Sequence, residues 1–216
     1  MNNFINTFQK KSRHHFKLSK FIYPELIKLN NNNILEFGVS EKAMSTDLFL
    51  NYSKDTGCKL FSIDNVDYSD KFKDKNWKFI LSRDDNYNFV KKNIPNYFSL
   101  ILLDTLHEAK HVQKIIYNYF DMLELNCCFF IDDISWIPYL KESDKNRFYG
   151  EINNLETFNL LLEIYYNNRD NIDIEFSFQG TGMCKITKIK DVALNNPRKI
   201  QTRQNTIKNL IRKIIR

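Results

Sequence analysis

Ile34-Leu35-Glu36-Phe37-Gly38-Val39-Ser40 decides the fold. Apolar residues follow one another here, where a strand covered on one face only would alternate with polar ones. Such a run suits a parallel strand buried on both faces. With this strand taken as 34–39, four later runs repeat the pattern at 59–63, 77–81, 99–103 and 127–131. Segments with apolar residues at helical spacing separate them, at 43–52, 86–93 and 109–125, which is the alternation that βα units leave in a sequence. A further helix at 151–167 precedes two strands, 172–178 and 183–189, divided by Gly180-Thr181-Gly182. A tight glycine turn makes that last pair antiparallel. The sequence therefore predicts an α/β fold: a seven-stranded sheet of five parallel strands plus a C-terminal antiparallel hairpin, with helices on both faces.

The chain has 216 residues, 43% of them hydrophobic, enough for one substantial core. Three parts are expected: an N-terminal helical extension (1–30), the α/β body (31–190) and a basic C-terminal tail (191–216), with Pro197 setting the tail apart. The asparagine run at 30–33 reads as loop. The longest apolar runs fall well short of the ~20 residues that cross a bilayer, and the polar start Met1-Asn2-Asn3 does not resemble a secretory signal. A soluble, cytoplasmic protein is expected. Cys58, Cys127, Cys128 and Cys184 lack metal-type spacing and read as reduced core residues.

Net charge is +6, and the excess gathers at the ends of the chain. Lys10, Lys11, Arg13, Lys17 and Lys20 mark the first; Arg198, Lys199, Arg203, Lys208, Arg212, Lys213 and Arg216 mark the last. In the tail Ile207, Leu210, Ile211, Ile214 and Ile215 fall at helical spacing with the cations on the remaining face. Such a helix suits an anionic membrane surface, nucleic acid, another subunit of a homo-oligomer, or simple packing on its own domain.

Ligands of an open parallel sheet bind at the carboxyl ends of its strands, and here those ends are acidic. Glu36 precedes Gly38, Asp64 closes the second run, Asp84-Asp85 follow the third, Asp104 the fourth and Asp132-Asp133 the fifth. Any one of these acids reads equally well as a helix cap, but five in register do not. A carboxylate ending strand two accepts hydrogen bonds from a ribose diol, and a glycine after strand one lets backbone approach a ligand.

Glu36-Phe37-Gly38 with the terminal hairpin resembles the Rossmann-like class I S-adenosylmethionine-dependent methyltransferases, over roughly residues 34–188. The resemblance implies S-adenosyl-L-methionine as cofactor, held by Glu36, Gly38, Ser40, Asp64 for the ribose and Asp84 for the adenine, with Asp85 as the alternative to Asp84. Where those enzymes carry further glycines this chain has Glu41, Lys42 and Ala43. Residues 98–108, with Asp104 and His107, together with Phe129-Phe130-Ile131-Asp132-Asp133-Ile134, are similar to macrocin-type sugar O-methyltransferases and cephalosporin hydroxylase-like proteins. His14-His15-Phe16 and Tyr23 resemble the helix that precedes strand one in that group, whereas Thr105-Leu106 departs from its usual glycine and aspartate. This narrower resemblance implies a divalent cation, Mg²⁺ or Mn²⁺ with Ca²⁺ as a further option, on Asp104, Asp132 and Asp133.

Those residue types suit methylation of a hydroxyl, since hard oxygen ligands hold a cation that stabilises a developing alkoxide. Imidazole changes charge near neutral pH, so His107 beside Asp104 is the candidate base. The expected substrate is a small hydroxylated molecule such as a sugar or sugar nucleotide. Two alternatives stand beside it: a nucleic-acid methyltransferase, motivated by the net charge, and a non-catalytic module, motivated by the missing glycines. Asp132-Asp133 is a poor seat for a phosphodiester, and Asp104-Thr105-Leu106-His107 lacks the proline-rich motif of base-directed amino methyltransferases.

Overall fold

The computed structural model describes residues 2–29, 33–136, 148–200 and 206–215. Its seven-stranded sheet has the order β3-β2-β1-β4-β5-β7-β6, built from β1 (Ile34–Phe37), β2 (Leu60–Asp64), β3 (Trp77–Leu81), β4 (Phe98–Leu103), β5 (Leu123–Asp132), β6 (Ile172–Ser177) and β7 (Met183–Lys188). The first five pair in parallel; β7 runs antiparallel between β5 and β6. This is the expected architecture.

Each central strand feeds two cores by the period-2 geometry of its side chains. Leu35, Phe37, Ile101, Leu103, Phe129 and Ile131 point to one face, where α5 (Tyr87–Asn93), α6 (Ala109–Tyr119) and α7 (Phe148–Asn168) add Val90, Val112, Ile116 and Leu161. Ile34, Leu100, Leu102 and Phe130 point to the other. There α4 (Met44–Thr56) supplies Leu48 and Phe49, while α1 (Asn2–Phe8), α2 (Arg13–Phe21) and α3 (Tyr23–Leu26) supply Phe8, Leu18 and Leu26. Each such side chain contributes about 1.5–3 kcal/mol by leaving water. Covering on both faces is why the strand sequences lack alternation. The N-terminal helices are thus part of the core layer, and Ser12 opens α2 by accepting a hydrogen bond from the His15 amide.

One element departs from the sequence reading. The helix expected at 109–125 ends at Tyr119, a 3₁₀ turn spans Phe120–Met122, and β5 begins at Leu123. Half-exposed Leu125 lies on the strand, so the fifth strand is twice as long as the run 127–131. The cause is local: the β4–β5 register shifts between Phe98 and Leu100, where β5 runs from Leu123 to Cys128 and so carries extra residues, and Asn126 takes the left-handed backbone (φ 61°) that such an irregularity uses. Neither Gly nor Pro announces this break. The four cysteines are free, with Cys58, Cys128 and Cys184 buried. Among the described residues no helix is long and apolar enough to cross a membrane. Part of the tail reading, the Leu210 side chain, Arg203 and Arg216, lies outside the described residues, as do Asn30, Asn31 and Asn32 of the asparagine run.

Candidate active site

The carboxyl ends of β1–β4 enclose a cavity of about 430 Å³ whose walls include Gly38, Ser40, Asp64, Asp84, Asp104 and Thr105. Gly38 is required there by shape. Its φ is 93°, and a Cβ added to it would lie 1.9 Å from the Asp104 carbonyl oxygen, so only glycine lets β1 turn beside β4. The loop then continues through Ser40 and Ala43 at φ 59° and 44°. Of the positions where further glycines were expected, 41–43, Ala43 takes the glycine-like backbone without being glycine, and Ser40 just before them does the same.

Asp64 ties that loop to β2. Its Oδ2 accepts the Val39 amide at 2.8 Å and the Ser40 amide at 3.4 Å, and its Oδ1 accepts the Val66 amide at 2.9 Å. Asp84 is buried and accepts hydrogen bonds from Thr105 Oγ1 at 2.5 Å and from His111 Nε2 at 2.8 Å. Burial alone would raise its pKa, but the His111 and Thr105 hydrogen bonds and the His111 charge outweigh it and hold the group below the usual carboxylate value. Asp85 points outward to Arg83 and Lys114. Of the two acids after β3, Asp84 is the one in the cavity wall.

Glu36 sits behind the wall rather than in it. It is fully buried and accepts from Ser62 Oγ at 2.6 Å and Thr46 Oγ1 at 2.9 Å, joining β1, β2 and α4. Burial pushes its pKa up from 4.5 to about 7, against the opposing hydrogen bonds. A proton kept by the folded chain but released by the unfolded one makes stability fall as pH rises between those two values, by about 3 kcal/mol over the window. Urea titrations of the parent are therefore expected to lose stability between pH 5 and 8, and Glu36→Gln to flatten that loss. An unchanged slope would place the titrating group elsewhere.

Beside the cavity lies a second cluster. Asp104, at the end of β4, reaches into both, and His107 Nε2 stands 3.7 Å from its Oδ1 and 3.5 Å from Asp133 Oδ2. Desolvation, with Asp132 and Asp133 nearby, raises the Asp104 pKa well above the ordinary value. Asp132 is buried, and the buried Lys17 Nζ donates to its Oδ1, to Thr181 Oγ1 at 2.8 Å and to the Gly182 carbonyl at 3.4 Å. Gly182 is also held by shape, since a Cβ on it would lie 2.6 Å from the Ser135 amide nitrogen. Lys17 thus pins α2 and the β6–β7 turn to the end of β5.

Among the described residues, those with ligand atoms close enough to share one metal ion are His14, Asp104 and Asp132, within 4.8 Å of one another. Asp133, named with the other two acids from the sequence, instead faces His107. Desolvation first, then Lys17, lowers the His14 pKa against the pull of Asp132 and Asp133, which favours the neutral imidazole that a metal ligand needs. Asp132 Oδ2 is buried with no hydrogen-bond partner among the described residues, 3.8 Å from His14 Nε2. A buried carboxylate oxygen without a partner is rare unless something else satisfies it. The donor chemistry and that atom both fit a divalent cation.

No protein-family profile matches the sequence, and no curated protein matches it. Solved structures do. The MycE methyltransferase from the mycinamycin biosynthetic pathway, in complex with Mg and S-adenosylhomocysteine, superposes with a TM-score of 0.61 at 15% identity, over 86% of this chain and 52% of that one. The Podospora anserina methyltransferase PaMTH1, bound to S-adenosylhomocysteine, gives 0.63 at 14% identity over 83% and 80% of the two chains. A protein from Staphylococcus aureus described as a caffeoyl-CoA O-methyltransferase gives 0.59 at 15% identity, over 79% and 83%. The chain spans about half the length of MycE. At these identities the likeness establishes the fold, which is that of the Rossmann-like class I methyltransferases.

Proposed function

We propose, from that fold, that the chain is an S-adenosylmethionine-dependent O-methyltransferase acting on a hydroxyl of a small molecule such as a sugar or sugar nucleotide, with help from a divalent cation. The observation that carries this reading is Asp104, which belongs at once to the cavity wall and to the His14–Asp132 donor group. A cavity and an acid cluster that share a residue support this reading, because a methyl donor bound in the first would lie next to an acceptor bound at the second.

S-adenosylmethionine would supply an electrophilic methyl group on its sulfonium. Gly38 keeps the cavity open to it, Asp64 offers remaining lone pairs to the ribose diol, and Asp84, fixed by Thr105 and His111, faces the base. A divalent cation on His14, Asp104 and Asp132 would supply Lewis acidity toward the acceptor hydroxyl. An imidazole beside two carboxylates favours Mn²⁺ over the all-oxygen preference of Mg²⁺ or Ca²⁺. His107, between Asp104 and Asp133, takes the acceptor's proton, and the flanking carboxylates stabilise the imidazolium that results.

Calorimetric titration with S-adenosylhomocysteine tests the cofactor half. The parent should bind, and Asp64→Ala should weaken binding by about 1–3 kcal/mol through the unpaired hydroxyls. A flat titration of the parent would point to a module that has kept the fold without the cofactor. Methyl transfer to hydroxylated acceptors, lost with EDTA and restored by Mn²⁺, tests the cation half.

A further inference from the structure

The C-terminal helix α8 (Ile207–Ile215) carries an apolar face that none of the other described residues covers. Ile207, Ile211, Ile214 and Ile215 are 77%, 50%, 84% and 80% exposed. At 3.6 residues per turn these four fall within an arc of about 100°. Exposed Lys208, Arg212 and Lys213 lie outside that arc, together with Asn209. Residues 192–216 contain seven Lys or Arg and no Asp or Glu.

We propose that α8 docks on an anionic lipid bilayer, lying in the interface with its isoleucines among the acyl chains and its cations on the headgroups. Both halves of the helix then find a partner. Nucleic acid would offer phosphates to the cations and leave four isoleucines in water. A second copy of the helix would cover isoleucines but oppose like charges, and nine residues bury only a fraction of the ~800 Å² per partner typical of a stable protein interface.

The tether fits this use. Asn195 is bound to the body: its amide donates to Asn168 Oδ1 at 2.7 Å, and its carbonyl accepts from Tyr117 Oη at 2.5 Å and Asn168 Nδ2 at 3.1 Å. Tyr117 and Asn168 close α6 and α7, at the end of the sheet opposite the cavity. Asn195 therefore anchors the start of the tail at the end away from the site, an arrangement compatible with docking that leaves the cavity mouth open to soluble acceptors.

Vesicle flotation of the full chain tests the proposal. Binding is expected with vesicles of phosphatidylcholine mixed with phosphatidylglycerol, not with phosphatidylcholine alone, and it should weaken steeply with added salt. Replacing Lys208, Arg212 or Lys213 by Gln should lower the partition coefficient about fivefold each. Ile214→Asp and a chain ending at Ile200, which keeps the Asn195 anchor, should abolish binding while S-adenosylhomocysteine titrations stay as in the parent. No flotation with the mixed vesicles at low salt overturns the proposal. So does equal binding to neutral vesicles, duplex DNA binding that ignores Ile214→Asp, or a concentration-dependent dimer that Ile214→Asp dissolves.

Discussion

Gly38→Ala is expected to cost roughly 2–6 kcal/mol of stability and to eliminate S-adenosylhomocysteine binding, because two penalties coincide at one atom. An L side chain at φ 93° is strained, and the new methyl would lie 1.9 Å from the Asp104 carbonyl oxygen, well inside contact. That oxygen is backbone and has no rotamer through which to retreat. Relief requires the end of β1 to part from β4, where the Asp104 amide bonds to the Phe37 carbonyl at 2.9 Å. The parting would open the cavity and displace Asp104 from His14 and Asp132. Gly57→Ala isolates the steric share. Its φ is 75°, but nothing lies within 4 Å of the added carbon, so only conformational strain of about 1 kcal/mol is expected. Urea unfolding of the two variants should differ by several-fold in destabilisation; equal losses would show that close approach to β4 is not what Gly38 provides.

The sequence carries those parts of this site that depend on neighbours along the chain. Gly38, Asp64, Asp84 and Asp104 stand at strand ends, and strand ends are marked by apolar runs, so their convergence follows from parallel pairing alone. The hairpin is equally local, since Gly180 and Gly182 take φ 61° and 81° as a tight turn demands. Glu36 shows where such reading stops. It points to the same face of the sheet as Asp64, but it pairs with Ser62, two residues short of Asp64, and so lies beneath the loop against Thr46 and Ser62. Lys17 and His111 were out of reach for a different reason. Lys17 meets Asp132 across 115 residues and His111 meets Asp84 across 27, and neither contact leaves a periodicity or a turn residue as its sign. The i, i+3 spacing of His14 and Lys17 on α2 was the one available signal, since it puts both on the same helix face.

Lys17→Met gives the strongest test of the acid cluster. It keeps the length and apolar stem of the side chain but removes an ammonium whose donors serve Asp132 Oδ1, Thr181 Oγ1 and the Gly182 carbonyl. Breaking one partner out of a buried ion pair typically costs about 3–5 kcal/mol, because the remaining charge stays desolvated. Asp132 is left worse than usual, as its other oxygen already lacks a hydrogen-bond partner among the described residues and Asp104 stands nearby. The variant is therefore expected to melt well below the parent. It should also lose the link that holds α2 and the β6–β7 turn to β5. The same electrostatics give the prediction a second reading. If His14, Asp104 and Asp132 hold a cation, adding Mn²⁺ raises the melting temperature of both proteins, and raises it more in the variant, where the cation faces one fewer positive charge. Thermal unfolding with and without Mn²⁺, against a His14→Ala control that should lose the Mn²⁺ response, separates the two effects. A variant as stable as the parent would deny the buried pair its structural role. A large destabilisation without any Mn²⁺ response would confine Lys17, and the acids around it, to holding the fold.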